Sequence, residues 1–115
     1  MKTLAEFKKS LNLDQPLSEF SVQLKSLWYD GKGDWHRAHA EVDHLGDQES
    51  ALVHAYLHRK EGDTSNAMYW YGRAGKPVCF GSLEEEWAAI SEALLATRWE
   101  ERRIDRHLFG TKSGL

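Results

Sequence analysis

The sequence predicts an all-α protein, folded as a compact bundle of about six helices. Its apolar residues recur at spacings of three and four, the period of a helix with one buried face. Ser, Thr or Asp stands before most of these segments, where a helix needs a side-chain acceptor for its free N–H groups. No stretch alternates apolar and polar residues, so no strand is predicted. The 115 residues suit one domain, 1–115.

The caps divide the chain into six helical segments. The side chains expected to open them are, in order, Thr3, Ser18, Asp34, Asp47, Asp63 or Thr64, and Ser82. The apolar residues expected to face the core are Leu4, Phe7, Leu11, Phe20, Leu24, Leu27, Trp28, Trp35, Ala38, Val42, Leu45, Ala67, Trp70, Tyr71, Ala74, Leu83, Trp87, Ile90 and Leu94. Beyond them, residues 98–115 are expected to form a charged helical extension and a frayed tail.

Two segments share one pattern around a turn. A Gly-Asp pair is followed by a small residue five positions after the glycine and preceded by another seven positions before it. These positions are Gly33, Ala38 and Ser26 in one segment, and Gly62, Ala67 and Ala55 in the other. The pattern resembles the tetratricopeptide repeat, which implies antiparallel helix pairs that approach closely at the two small residues. The glycines lie 29 residues apart, which favours a compact bundle of such pairs over an extended solenoid.

A longer resemblance covers residues 54–77. The run from His54 to Asp63, followed by Asn66-Ala67, Tyr69-Trp70-Tyr71 and Arg73-Ala74-Gly75, resembles a family of small uncharacterised helical proteins. The later segment 82–87 also fits this family. The resemblance implies a helical fold and carries over no catalytic residue.

Charge and composition exclude several classes of partner. The formal net charge is −3 with a pI near 6.0, so no basic excess drives nucleic-acid binding. No apolar run approaches the length that spans a bilayer, so no membrane association is predicted. The single cysteine, Cys79, forms no internal disulfide, and the first residues lack the apolar stretch of a signal peptide. We therefore expect a cytoplasmic protein.

The residues with chemical potential concentrate around the second Gly-Asp turn. Asn66, Tyr69, Trp70 and Arg73 are spaced three and four apart, so they form one stripe of a helix. Arg beside aromatic rings can grip a carboxylate. The predicted ligand-binding set is His54, His58, Arg59, Glu61, Asn66, Tyr69, Trp70 and Arg73. This set predicts an interaction or ligand-binding module for a protein, a peptide or a small anion, without a cofactor.

Other interpretations of these residues remain open. The same polar groups could form a buried ion-pair network that fixes the hairpin. His54 and His58 share a helix face, and with His39 and Glu61 they could bind a metal ion or serve an enzyme, although no motif names a reaction. A homo-oligomer whose aromatic surface is its own interface is a third alternative.

Overall fold

The computed structural model describes residues 3–96, which contain six helices and, within that range, no strand. The helices are α1 (Leu4–Ser10), α2 (Val22–Gly31), α3 (Trp35–Val42), α4 (Gln48–Lys60), α5 (Thr64–Ala74) and α6, which is described over 83–96. The predicted all-α bundle is confirmed. None of the helices in this part of the chain is both long and apolar enough to cross a membrane. The predicted extension and tail lie outside the described residues.

Side-chain caps set the helix starts. Thr3 and Glu6 form the predicted capping box, and Asp34, Asp47 and Asp63 each accept a backbone N–H from the first turn of the next helix. Helix α2 begins at Val22 rather than near Ser18. Its cap is Ser21, whose Oγ accepts the Leu24 N–H at 3.2 Å.

The α2–α3 and α4–α5 pairs are hairpins whose turns have matching backbone hydrogen bonds. In the first, Gly33 N donates to Asp30 O and Asp34 N donates to Tyr29 O. In the second, Gly62 N donates to Arg59 O and Asp63 N donates to His58 O. Both glycines have a positive φ, +86° and +87°, which side chains disfavour. The Gly-Asp pairs therefore determine where both chain reversals occur.

The main core lies between the hairpins and the flanking helices α1 and α6. Phe7 of α1 stacks on Trp87 of α6 with ring centroids 5.5 Å apart. The indole N–H of Trp87 donates to Leu27 O at 2.9 Å, and that of Trp28 donates to Ser10 O at 3.0 Å. These bonds satisfy the buried indoles and tie α1 and α6 to α2. Every residue predicted to face the core is buried or half-buried.

A smaller cluster lies between α4 and α5. It contains Ala55, Ala67 and Tyr71, which are exposed by 0%, 3% and 1%. The two alanines thus pack in one apolar cluster, as their matched offsets from Gly62 predict. Small side chains let the helices approach closely, and Tyr71 fills the remaining space.

Replacing Ala67 with Leu should therefore destabilise the fold. The larger side chain overpacks the α4–α5 contact, and we expect a loss of ~1–3 kcal/mol in the free energy of unfolding. Chemical denaturation measures it. Met68→Leu is the matched control, because Met68 is 56% exposed on the same helix and its replacement should change stability by less than about 0.5 kcal/mol. Equal stability of the two variants would contradict this packing.

Candidate metal centre

Three histidines converge where α3 lies against α4. His39 belongs to α3, whereas His54 and His58 are one turn apart on the same face of α4. The Nε2 atoms of His39 and His54 are 3.0 Å apart. One ring nitrogen from each of the three residues lies within 4.8 Å of the others. We call these residues the histidine cluster.

Two carboxylates lie next to the Nδ1 atoms of histidines in the cluster. Glu61 Oε2 is 2.6 Å from His58 Nδ1, and Asp43 Oδ2 is 3.6 Å from His39 Nδ1. A carboxylate at Nδ1 favours a proton on that nitrogen, which leaves the lone pair of a neutral ring on Nε2. For His39, this is the nitrogen that faces His54.

Two indole rings flank the cluster. Trp35 stacks on His39 with centroids 4.9 Å apart and an interplanar angle of 11°. Trp70 of α5 stacks on His54 at 4.1 Å and 24°. The rings restrict the rotation of both imidazoles and remove water from one side of each. The nitrogen atoms of the cluster are therefore held in fixed positions and are partly shielded from solvent.

Burial disfavours the charged form of two of these imidazoles, His39 and His54. The pKa of His54 falls to about 4, first because the ring is buried and then because His58 and His39 lie beside it. The pKa of His39 is lowered for the same leading reason. His54 Nδ1 is buried and has no hydrogen-bond partner among the described residues. Neutral rings with converging nitrogens suit a cation that binds lone pairs.

A second group of polar residues lies away from the cluster and joins the α4–α5 hairpin to α6. Glu86 is buried, and its carboxylate accepts from Arg59 Nη1 at 2.7 Å and from the Tyr71 hydroxyl at 2.5 Å. Arg59 Nη2 also donates to the Gly81 carbonyl. Burial, followed by the bond to Glu86, raises the pKa of Tyr71. Arg59 was predicted to bind a ligand, but its guanidinium is engaged in this internal ion pair.

In the predicted stripe on α5, Tyr69, Trp70 and Arg73 contact one another, because the Arg73 guanidinium lies 6.0 Å and 5.6 Å from the centroids of the two rings. Asn66 donates to Asp63, the α5 cap, at 2.9 Å. Arg73 donates to the Tyr69 hydroxyl at 3.0 Å, on the exposed face of the helix. Only Trp70 reaches the histidine cluster. At the histidine cluster itself, the structure brings together His54, His58, Glu61 and Trp70 of the predicted ligand-binding set.

Sequence reasoning placed His39 in the alternative metal set and omitted Trp35 and Asp43. Trp35, His39 and Asp43 are spaced four apart, so one stripe of α3 presents all three to the same side. That spacing was a usable signal. It became informative only with α4 in place, because the Trp35 indole N–H donates to Leu57 O at 2.8 Å and holds the stripe against α4.

Comparisons of the chain with family models, curated proteins and solved structures found no match. The resemblances to the tetratricopeptide repeat and to small helical proteins therefore stay predictions. The chemistry of the histidine cluster has to be inferred from its own residues and distances.

The two arginines should differ sharply when replaced by alanine. Arg59→Ala leaves the buried Glu86 carboxylate without its cation, and we expect a loss of about 2–4 kcal/mol in the free energy of unfolding. Arg73→Ala is the matched control, since it removes exposed contacts with Tyr69 and Trp70, leaves no buried charge unpaired and should cost less than about 1 kcal/mol. Urea denaturation compares them. Similar losses in both variants would be inconsistent with this division of roles.

Stability should fall in acid because of His54. Its folded-state pKa of about 4 lies below the ordinary 6.5, so between these values the unfolded chain binds the proton more readily. The contribution is fully present above pH 6.5 and is lost as pH falls toward 4, by at most about 1.4 kcal/mol per pH unit. Unfolding free energies measured in a chelating buffer from pH 7.5 to about 4.5 test this window.

The His54→Phe variant isolates this contribution from other titrating groups. It should show a shallower loss of stability with falling pH than the parent chain. His44→Phe serves as the control, because that side chain is 66% exposed, and it should keep the parental slope. An unchanged slope in His54→Phe would show that His54 is not the group responsible.

Proposed function

We propose that this chain is a metal-binding helical protein whose histidine cluster holds one divalent transition-metal ion. The observation that carries the proposal is the convergence of His39, His54 and His58 from two hairpins, with two Nε2 atoms 3.0 Å apart. Tetrahedral zinc with Zn–N distances of about 2.0–2.1 Å separates its ligand nitrogens by roughly 3.3 Å. The cluster brackets that separation, with two nitrogens 3.0 Å apart and all three within 4.8 Å of one another.

The donor set favours a particular group of metals. Three imidazoles suit Zn²⁺, Co²⁺, Ni²⁺ and Cu²⁺, whereas Mg²⁺ and Ca²⁺ prefer oxygen ligands. Imidazoles bind a metal through lone pairs and supply no negative charge, so the ion would bring two positive charges to the site. The carboxylates of Asp43 and Glu61 lie close enough to offset them.

The carboxylates also support the proposal through orientation. Metal-binding histidines commonly donate their second ring N–H to a carboxylate, which fixes the tautomer and strengthens the ligand. Glu61 is in this position behind His58, and Asp43 lies behind His39 at a longer distance. Asp43 and Glu61 are the C-cap residues of α3 and α4, the helices that carry His39 and His58. Each carboxylate–histidine pair therefore depends only on residues three or four positions apart.

A purely structural role is the competing interpretation. The His39–His54 and His58–Glu61 contacts could simply satisfy polar groups at a helix interface. His54 Nδ1 is buried without a partner among the described residues, and an ion bound at Nε2 would leave it so. The two interpretations differ in how the protein responds to added metal.

Zinc should bind with a stoichiometry of one and raise the melting temperature. An ion that binds only the folded state adds about 2.7 kcal/mol at a free concentration of one hundred times Kd. For a chain of this size, that corresponds to roughly 10 °C. Elemental analysis and thermal unfolding of protein prepared without a histidine tag measure both effects.

Matched variants locate the site. His58→Asn should abolish the zinc-dependent shift, whereas His36→Asn, an exposed residue on α3, should preserve it. Protein that contains no stoichiometric metal and shows no zinc-dependent shift would support the structural interpretation instead.

A further inference from the structure

We infer that the histidine cluster leaves the fourth position of a tetrahedral metal ion open for a small exogenous ligand with one donor atom. This inference rests on the proposed function. Zinc sites with four protein ligands are closed, whereas three protein ligands leave a position for water or another small molecule. The question is therefore whether any neighbouring side chain can supply the fourth donor.

The two nearby carboxylates each lie at the Nδ1 atom of a histidine ring, on the opposite side of the ring from Nε2. Glu61 Oε2 contacts His58 at Nδ1, 2.6 Å away, and Asp43 is oriented toward Nδ1 of His39. An ion bound at Nε2 lies across the ring from a carboxylate bound at Nδ1. Neither carboxylate can keep its present contact and also coordinate that ion.

The remaining side chains packed on the cluster are indoles. Trp35 stacks on His39 and Trp70 stacks on His54. An indole N–H is a donor without a lone pair for a metal, and that of Trp35 already bonds to the Leu57 carbonyl. Among residues 3–96, the groups around the cluster thus supply three ligands and no fourth.

Asp63 is the other acid near this end of α4. Together with His58 and Glu61 it forms a second group of closely spaced donor atoms. Its carboxylate, however, accepts from the backbone and side chain of Asn66 as the cap of α5. These two hydrogen bonds engage both oxygens of the Asp63 carboxylate.

Exposure and charge indicate what the open position accepts. His39 is 26% exposed and Glu61 37%, whereas His58 is 10% exposed, so solvent reaches the cluster from the His39 and Glu61 side. The stacked indoles of Trp35 and Trp70 limit the space through which a ligand can reach the cluster. The two carboxylates would already balance a divalent ion, so water, hydroxide or a small monoanion fits better than a larger dianion.

Cobalt with azide as the added ligand tests the inference. Co²⁺ reports its geometry through visible absorption bands, and azide is a small monoanion with one donor atom. We expect azide to shift the bands of the cobalt-loaded protein in a saturable manner, while the cobalt content stays at one per chain. Sulfate, a dianion, should leave the bands unchanged at the same concentration.

The outcomes separate this inference from the proposed function. Absence of a cobalt spectrum would remove the proposed function and the inference together. A cobalt spectrum that azide leaves unchanged would overturn only the inference, because a protein donor would then fill the fourth position.

Two variants identify such a donor. An azide response that appears only in Glu61→Gln or in His107→Asn, which alters a residue outside the described range, would also overturn the inference. If the inference is correct, Glu61→Gln binds cobalt about 10- to 100-fold more weakly and shows the azide shift of the parent.

Discussion

The hydrogen bond from the Trp35 indole nitrogen to the Leu57 carbonyl, 2.8 Å long, ties α3 to α4. The bond orients the Trp35 ring, which stacks on His39. The same ring contacts His58, the residue that follows Leu57 on α4. The position of His39 relative to His54 and His58 therefore depends on this contact between two hairpins. A rotation of α3 about its own axis would move His39 away from His54 and His58 on α4.

A second set of contacts holds the same hairpins from another side. The buried carboxylate of Asp30, on α2, accepts from the Tyr56 hydroxyl at 2.6 Å and pairs with Lys60 Nζ at 2.8 Å, both on α4. Burial, followed by the bond to Asp30, raises the pKa of Tyr56. Since a buried carboxylate without partners is costly, this arrangement strongly favours one docking of α2 on α4. The position of α3, and with it His39, follows from its hairpin with α2.

The sequence predicted local features well and tertiary ones poorly. Capping by Asp34, Asp47 and Asp63 was readable because an N-cap acts within three residues of itself. The start of α2 was placed near Ser18 because Ser18 and Ser21 have equivalent capping chemistry. Only the packing of the preceding segment, which buries Phe20, selects the second of them.

The candidate site shows the same division. His54, His58 and Glu61 lie close together because their spacing along α4 and its C-cap places them on one side. Arg59 was placed with them, but its partner Glu86 lies 27 residues away, on a helix whose docking no spacing reveals. His39 meets His54 across 15 residues for the same tertiary reason. Spacing in the sequence therefore indicates which residues of α4 lie together, whereas the crossing of α3 and α4 determines that His39 joins them.

The stacking of Trp35 and Trp70 on two of the clustered histidines has a spectroscopic consequence. The chain has five tryptophans, and these two lie in van der Waals contact with imidazoles whose protonation or ion binding changes the local field. Indole emission is sensitive to such neighbours, and paramagnetic ions quench it at short range. The native fluorescence of this protein is therefore an intrinsic, label-free reporter of the state of its histidines.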